Sequence, residues 1–275
     1  MPKLLWPLVL LPLLAYACVV VLLYFLQDRL VYYPQIGRDL RLDPRAYGLD
    51  YTPLTLTTAD GERLDAWFVP VPQSDAVALI LHGNAGNMTQ RMDTIAMFHR
   101  MGYGVLIFDY RGYGRSTGRP SEEGLYKDAQ TAWQYLTEER GIAPGQIILF
   151  GESLGGAVAA WLAARERPGA LVLSSVFTSA PEVAADLYPW LPTNWLLRLR
   201  YDTRAALART SAPVLIAHSP EDEIIPFRHG QSLYDAAPEP KAFLPLAGGH
   251  NEGFFFMRAV WADALADFLR RHVPP

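Results

Sequence analysis

The sequence GESLG at residues 151–155 decides the fold of this chain. It follows the apolar run 147–150 and opens the small-residue run 156–160, so a strand, a tight turn and a helix are predicted in that order. This order is typical of a nucleophile elbow, in which a serine lies on a strained bend with its hydroxyl exposed beyond the sheet. The two glycines leave room for neighbouring backbone because they carry no side chain. Ser153 is therefore predicted to be a catalytic nucleophile.

Length and composition favour one large α/β domain over two small ones. The chain has 275 residues, of which 51% are hydrophobic, enough for a sizeable core. The formal net charge of −4 is modest and no lysine- or arginine-rich block is present, so the sequence does not indicate a nucleic-acid partner. The single cysteine, Cys18, excludes a disulfide within the chain and leaves the redox compartment undecided.

The N-terminal segment predicts a membrane anchor. Residues 4–26 carry no charge and are long enough to cross a bilayer as a helix, despite two prolines near the start. A cleaved signal peptide is the competing interpretation, because Lys3 is a minimal positive region and residues 15–17 resemble a cleavage site. The apolar run continues beyond that site, which favours an uncleaved, single-pass anchor that contacts membrane lipids.

The charges around this segment point in two directions. Four arginines follow it and one lysine precedes it, and counting positive residues places the main domain in the cytoplasm. The very short tail before an uncleaved signal favours the opposite side. We expect a single-pass protein of the cell membrane. These opposing signals leave the side of its main domain open, with the periplasmic or extracytoplasmic side preferred.

Three regions are predicted along the chain: an anchor at residues 1–27, a juxtamembrane connector at 28–50 and a main domain at 51–275. In the main domain, the turn signal at 60–61 joins two strands, and six later apolar runs alternate with helical stretches. This alternation predicts an α/β fold, with an eight-stranded, mostly parallel sheet and helices on both faces. The six runs are 77–81, 104–108, 147–150, 170–173, 214–217 and 242–246.

An apolar insertion interrupts the alternation at about residues 175–209. It is rich in leucine, tryptophan and proline between residues 187 and 197, and it is too apolar for a solvated linker. Long loops in compact domains are usually functional. The insertion is therefore predicted to be a small helical cap over the active site. A peripheral helix pair that merely packs on the sheet is the alternative.

Two downstream side chains are predicted to activate Ser153. A serine hydroxyl needs an adjacent base, and the base needs an acid that orients it. Of six histidines, only His250 lies between the last strand and the final helix, in a glycine-rich loop that can reach the serine. The acid is expected after the seventh strand, where Asp222 is preferred to Glu221, and where Glu221 and Glu223 are expected to point to water. This order of acid and histidine disfavours a chance match to the elbow motif.

Two backbone amides are predicted to form an oxyanion hole for the charge that develops on the substrate carbonyl. One is the N–H of Leu154, directly after the nucleophile. The other belongs to the loop HGNAGN at residues 82–87, where Asn84 is preferred and Ala85 is the alternative. His82 and Asn87 are expected to be structural. A Walker phosphate loop is excluded, because its lysine and spacing are absent.

The loop FDYRGYGRS at residues 108–116 follows the fourth strand. Asp109 and Arg111 are expected to pair within it and to hold it beside the serine. We favour this structural role over substrate contact, because an aspartate and an arginine so close together more often stabilise a turn.

Six segments of the sequence resemble the membrane-anchored branch of the α/β-hydrolase superfamily, which includes protein depalmitoylases and lysophospholipid hydrolases. They are QDRLVYYP at 27–34, HGNAGN at 82–87, FDYRGYGRS at 108–116, GESLGG at 151–156, HSPEDEIIP at 218–226 and GGHNE at 248–252. The resemblance runs from about residue 14 to residue 268. It implies a triad of Ser153, Asp222 and His250 and an oxyanion hole made by the amides of Asn84 and Leu154. One departure is Ser219, where relatives often have glycine.

The predicted function is a membrane-anchored serine hydrolase that cleaves carboxylic esters or thioesters of amphiphilic acyl substrates. It proceeds through an acyl-enzyme and needs neither metal nor cofactor. An aminopeptidase or amidase with the same triad is the alternative. It needs carboxylates that hold a substrate amine, and Glu182 and Asp186 are the candidates. A catalytically silent scaffold is disfavoured by the intact triad. Dehalogenases and epoxide hydrolases generally have aspartate at the position of Ser153.

Overall fold

A central eight-stranded sheet organises the computed structural model, which describes residues 6–34, 42–72, 74–251 and 258–275. The strands are β1 (Thr52–Thr57), β2 (Arg63–Val69), β3 (Val77–Leu81), β4 (Gly104–Phe108), β5 (Ile147–Glu152), β6 (Ala170–Ser174), β7 (Val214–His218) and β8 (Lys241–Pro245). Their order across the sheet is β1-β2-β4-β3-β5-β6-β7-β8. β2 pairs antiparallel with β1 and β4, and the remaining neighbours are parallel. The prediction of a mostly parallel sheet with an antiparallel hairpin at its edge is confirmed.

Helices cover both faces of this sheet, as the alternating pattern predicts. The α-helices of the described residues are α1 (Trp6–Val31), α2 (Met92–Arg100), α3 (Glu122–Gln134), α4 (Leu154–Ala163), α5 (Ala180–Leu187), α6 (Thr193–Leu196), α7 (Thr203–Leu207), α8 (Arg228–Ala236) and α9 (Ala259–His272). Successive side chains of a strand point to opposite faces. In β5, Ile147 and Leu149 accordingly pack with residues of α3 and α4, whereas Ile148 and Phe150 pack with residues of α2 and α9.

Complete burial explains why the central strands are recognisable as apolar runs. Every residue of β3, β4, β5, β6 and β7 is buried. A parallel sheet covered on both faces favours such continuous runs over alternation. The edge strand β1 instead leaves most of its residues exposed. The carboxyl ends of β3, β5, β7 and β8 lie along one edge of the sheet, and the loops that follow them carry the predicted site residues.

The insertion between β6 and β7 consists of two parts. Helix α7 packs against α4 and buries Ala206 and Leu207, so this part belongs to the core. Helices α5 and α6 contact each other, and α6 also contacts α1. Residues 180–197, called the cap below, form an outer layer.

Helix α1 ends at Val31, later than the predicted end of the anchor at residue 27. Its stretch Val9–Val31 contains an 18-residue segment with a mean hydropathy of 2.7 and is long and apolar enough to cross a membrane. The predicted connector therefore begins within the helix. Its residues 35–41 lie outside the described residues, and it ends with a 3-10 turn at Pro44–Tyr47. The division into anchor, connector and main domain stays a prediction.

Candidate active site

Ser153 occupies the bend between β5 and α4 in a strained conformation. Its φ of 50° and ψ of −117° lie outside the regions that serine ordinarily adopts, a cost on the order of 1–3 kcal/mol. The N–H of Ser153 donates to the carbonyl of Ser174 at 3.0 Å and fixes the bend to β6. A Cβ at Gly151 would lie 2.5 Å from the Cα of Gly156, and a Cβ at Gly155 would collide with the carbonyls that end β3. The glycines of the motif therefore permit the close approach of α4 to the sheet.

The structure brings Ser153, His250 and Asp222 into one hydrogen-bonded chain. The Nε2 of His250 lies 3.2 Å from the Oγ of Ser153, and its Nδ1 lies 2.8 Å from the Oδ2 of Asp222. Both His250 and Asp222 are buried. Because a carboxylate accepts hydrogen bonds, the Nδ1 of His250 donates to Asp222 and the Nε2 faces the serine hydroxyl. This is the geometry in which an imidazole can remove a proton from a serine.

Asp222 is held by the backbone of its own turn. Its Oδ1 accepts the N–H groups of Ile224 at 3.0 Å and Ile225 at 2.7 Å. Burial by itself raises the pKa of Asp222, but the hydrogen bond and charge of His250 and the amide of Ile225 outweigh it. The pKa of this carboxyl therefore lies below its ordinary value, and Asp222 is ionised at neutral pH.

Glu221 and Glu223, beside Asp222, are exposed as expected, and their carboxylates also accept backbone N–H groups. Glu221 accepts the N–H of Gly248 at 2.7 Å, and Glu223 accepts the N–H of His250 at 2.9 Å. The hydroxyl of Ser219 donates to the carbonyl of Gly248 at 2.6 Å. These contacts fasten the loop that carries the histidine. Backbone N–H groups need hydrogen-bond acceptors, and the carboxylates of Glu221 and Glu223 provide them for the histidine loop.

The predicted oxyanion donors belong to two segments that border Ser153. Leu154 is the first residue of α4, and the first-turn amides of a helix have no acceptor within the helix. In the other segment, a Cβ at Gly83 would lie 3.6 Å from the Cβ of Ser153, so the loop at residues 82–87 borders the serine. The side chain of Asn84 accepts from the hydroxyl of Tyr113 at 2.7 Å and donates to the carbonyl of Val31. The predicted role of Asn84 accordingly concerns its backbone N–H.

Buried polar groups hold the loop at residues 82–87 in place. The Nδ1 of His82 donates to the carbonyl of Gly83 at 2.8 Å, and the Oδ1 of Asp109 accepts the N–H of Met88 at 2.7 Å. Burial lowers the pKa of His82 to about 3 and raises the pKa of Asp109 to about 7. His82 is therefore neutral. Asn87 accepts the N–H of Thr89 at 2.9 Å and caps the turn that follows.

Arg111 does not pair with Asp109, and the expected ion pair within this loop is wrong. Its guanidinium contacts Asp60 of the hairpin at 3.0 Å and Asp128 of α3 at 2.8 Å. Asp128 is fully buried and needs a cation close by. Asp109 instead lies with its Oδ1 3.6 Å from the Nε2 of His82. Arg111 thus links its own loop to the β1–β2 hairpin and to α3.

Glu152 and Arg91 form a buried pair that the motifs did not identify. Glu152 occupies the variable position before Ser153 and is 1% exposed, and its Oε2 lies 2.9 Å from the Nε of Arg91. Burial raises the pKa of Glu152, and the charge of Arg91 opposes this effect. Arg91 also donates to the carbonyl of Ala85 at 3.3 Å. One side chain therefore links the elbow to the loop at residues 82–87. A charged residue at the end of a buried strand is a sequence signal for such a partner.

The cap carboxylates considered for binding a substrate amine are engaged with neighbouring residues. Glu182 forms an ion pair with Arg204 and accepts from the hydroxyl of Thr178. Asp186 contacts Arg228 and lies 2.7 Å from the Nε2 of His229. Within the described part of the chain, no group of three or more histidine, cysteine, aspartate or glutamate residues is placed to hold a metal ion.

Comparisons with known proteins assign this architecture. A family model described as serine aminopeptidase, S33, matches residues 72–201. The chain is 39% identical to the uncharacterized protein Rv2307c of Mycobacterium tuberculosis, covering 91% of this chain and 90% of that protein. It is 34% identical to the uncharacterized membrane protein YNL320W of Saccharomyces cerevisiae, covering 90% of each.

One relative and one solved structure carry informative names. The esterase Pf2001 of Pyrococcus furiosus superposes with a TM-score of 0.73 at 20% identity, over 87% of this chain and 96% of that chain, which supports the fold. The alpha/beta hydrolase domain-containing protein WAV2 of Arabidopsis thaliana is 32% identical, over 93% of this chain and 91% of that protein. With this identity over nearly its whole length, the chain belongs to the alpha/beta hydrolase family.

Proposed function

We propose that the protein is a membrane-anchored serine hydrolase that cleaves carboxylic esters or thioesters of amphiphilic acyl substrates. The observation that carries the proposal is the chain of contacts from Asp222 through His250 to Ser153, at a strained elbow that opens helix α4. Esterase chemistry is also consistent with the name of the Pyrococcus structure, which has the same fold.

The mechanism follows from the roles of these groups. The Nε2 of His250 takes the proton of Ser153 as the Oγ attacks the acyl carbonyl, and Asp222 stabilises the imidazolium. The amides of Leu154 and Asn84 donate to the oxyanion. His250 then returns the proton to the departing alcohol or thiol, which leaves an acyl-enzyme. A water molecule, deprotonated by the same histidine, cleaves the acyl-enzyme and restores the hydroxyl of Ser153.

The membrane location is part of the same proposal. Helix α1 has the length and hydropathy of a single-pass anchor, and the yeast relative is named a membrane protein. An enzyme held at a bilayer meets substrates with acyl chains, such as palmitoylated proteins or lysophospholipids, at high local concentration.

A fluorophosphonate probe tests the nucleophile. Wild-type protein in detergent is expected to be labelled, and Ser153→Ala is expected to abolish labelling because the probe reacts only with an activated hydroxyl. Ser175→Ala is the matched control, since Ser175 also has a positive φ, of 51°, at the end of a neighbouring strand. Labelling of Ser153→Ala at the wild-type level would refute the assignment.

Aminopeptidase activity is the second candidate, because the matching family model bears that description. The ion pairs of Glu182 and Asp186 count against it, since a substrate amine would have to displace Arg204 or Arg228. Parallel assays with p-nitrophenyl acyl esters and aminoacyl p-nitroanilides separate the two activities. Esters are expected to turn over faster, and faster turnover of the anilides would reverse the order of the two candidates.

A further inference from the structure

The cap presents large apolar side chains on its outer surface. Trp195 is 90% exposed, and Leu187, Tyr188 and Trp190 are between 44% and 57% exposed. Large exposed apolar side chains that cluster in this way usually mark an interaction surface. We call these four residues the cap edge.

Helix α1 lies along the cap and is fixed to it by hydrogen bonds. The hydroxyl of Tyr16 donates to the carbonyl of Trp190 at 2.9 Å. Near the other end of the helix, the side chain of Gln27 accepts the N–H of Arg198 at 2.7 Å. Several partly buried or buried positions of the helix, residues 20, 23, 27 and 31, recur every three or four residues and form one stripe toward the domain. The cap therefore accompanies the helix over several turns.

Charged groups at one end of the contact between α1 and the cap indicate the level of the bilayer surface. Arg198 and Asp28 form an ion pair at 2.9 Å, and both side chains are 47% exposed. Arg29 follows on the exposed surface of the helix. Ionised groups of this kind are stable at the headgroup level of a bilayer and costly in its hydrocarbon core.

Helix geometry then places Trp190, at the cap edge, below that level. At about 1.5 Å per residue, Tyr16 lies about 18 Å along the helix from Asp28, and Trp6 lies about 33 Å from it. The hydrocarbon core is about 30 Å thick, so the segment from Asp28 to Trp6 matches a complete span. The part beyond Tyr16 covers only about half of that thickness. Because Trp190 is hydrogen-bonded to Tyr16, a helix that spans the bilayer in this arrangement places Trp190 within the depth of the hydrocarbon core.

We propose that the cap edge enters one leaflet of a phospholipid bilayer beside helix α1. The inference rests on the membrane anchoring of the proposed function. Lipid explains the 90% exposure of Trp195, and it also explains the pairing of the Tyr16 hydroxyl with the Trp190 carbonyl, because polar groups at this depth must be satisfied internally. Tryptophan and tyrosine are the residues enriched where a protein enters a bilayer. An acyl substrate in that leaflet then meets the cap without first passing through water.

Tryptophan quenching tests this placement with the full-length protein in phosphatidylcholine vesicles. Brominated phosphatidylcholine quenches tryptophans in the acyl region, and iodide quenches those in water. Trp195→Phe and Trp190→Phe are each expected to remove emission that bromolipid quenches and iodide does not. The matched control is Trp161→Phe, because Trp161 packs on Tyr126 under Arg165 within the domain. This control is expected to leave the bromolipid-quenched emission unchanged.

Two other quenching results would overturn the proposal. Emission of Trp195 that is quenched by iodide alone places the cap edge in water. Emission that is shielded from both quenchers places it against protein, such as a second copy of this chain. Protein that fails to float with the vesicles would overturn the proposed anchoring together with this inference. Fluorophosphonate labelling of the protein in the same vesicles tests the proposed hydrolase activity separately, because labelling depends on Ser153 and not on the cap edge.

A charged substitution supplies a functional readout. Trp195→Glu is expected to slow hydrolysis of an acyl ester embedded in vesicles, because a carboxylate resists entry into hydrocarbon. Hydrolysis of soluble p-nitrophenyl acetate and labelling by the probe are expected to stay at the wild-type level. Trp195→Phe, which keeps the apolar character, should retain both activities. Equal rates of Trp195→Glu and wild type on the embedded ester would count against the proposal.

Discussion

Asp222 divides its two carboxylate oxygens between two tasks. Oδ2 holds the imidazole of His250, whereas Oδ1 accepts the amides of Ile224 and Ile225. A carboxylate fixed in this way cannot rotate away from the histidine, so the proposed base is oriented before substrate arrives. The neighbouring carboxylates Glu221 and Glu223 hold the other side of the same contact through the backbone of the histidine loop.

Asp222→Asn is therefore expected to lower kcat by roughly 10⁴-fold, the size of effect seen for this change in a serine protease triad. An amide can neither stabilise the imidazolium nor enforce the Nδ1–H tautomer. The measurement is hydrolysis of a p-nitrophenyl acyl ester, with a thermal unfolding curve to check the fold.

Glu221→Gln is the matched control for this change. Its amide oxygen can still accept the N–H of Gly248, so a much smaller loss of kcat is expected. If the two variants lost activity equally, Asp222 would have no special role as the acid.

At this scale, chain order and loop position were enough to predict which three residues come together, and their catalytic roles stay a prediction. The association of Ser153, Asp222 and His250 in space agrees with that prediction. Arg91 was not identified, because its contact with Glu152 depends on how the turn before α2 packs beneath the elbow. No local pattern records that contact.

At the scale of elements, the elbow and the loop at residues 82–87 are joined by the pair of Glu152 and Arg91. Arg91→Met is expected to destabilise the protein by about 3–5 kcal/mol, because it leaves a buried carboxylate without its cation. The double variant Glu152→Gln/Arg91→Met should recover part of that loss. Urea unfolding in detergent measures these two variants and the single variant Glu152→Gln. A double variant whose loss equals the sum of the two single losses would show that the pair is not coupled.

Asp109 makes stability depend on pH through the same loop. Its pKa is about 7 in the folded protein and about 4 when unfolded, so the folded state binds a proton that the unfolded state releases. Stability is therefore expected to fall as pH rises from about 4 to about 7, by up to about 1.4 kcal/mol per pH unit.

Asp109→Asn is expected to flatten this slope, because an amide does not ionise, while its oxygen can still accept the N–H of Met88. The measurement is urea unfolding of wild type and variant at pH 5, 6, 7 and 8. Asp235→Asn, at an exposed position of α8, is the control and should keep the wild-type slope. An unchanged slope in Asp109→Asn would exclude Asp109 as the titrating group.

The elements themselves were predictable where burial leaves a regular pattern. The six apolar runs correspond to strands because a two-sided parallel sheet excludes polar residues from them. The end of α1 was not predictable from hydropathy, which falls at Gln27. The helix continues because Gln27 and the residues after it contact the domain. The partners of Arg111 were missed because Asp60 and Asp128 are distant in sequence.

For the whole molecule, the link between Tyr32 and Tyr201 connects the N-terminal segment to the insertion. Their hydroxyls lie 2.7 Å apart and both side chains are buried. Tyr32→Phe or Tyr201→Phe alone is expected to cost about 1–3 kcal/mol, because each leaves a buried hydroxyl without a partner. The double variant should lose less than the sum of the two. Urea unfolding in detergent checks this, and strictly additive losses would deny the coupling.

The contact between Asn84 and the last turn of α1 bears on whether the N-terminal helix is interchangeable with other tethers. The side chain of Asn84 donates to the carbonyl of Val31, and the backbone of Tyr33 bridges to Ala85. Suppose that α1 were replaced by an unrelated transmembrane helix joined through a flexible linker. The protein would stay attached to the membrane, but the loop at residues 82–87, which borders Ser153, would lose this support. Any transplant of the tether must therefore preserve its terminal turn together with the residues that dock on the loop.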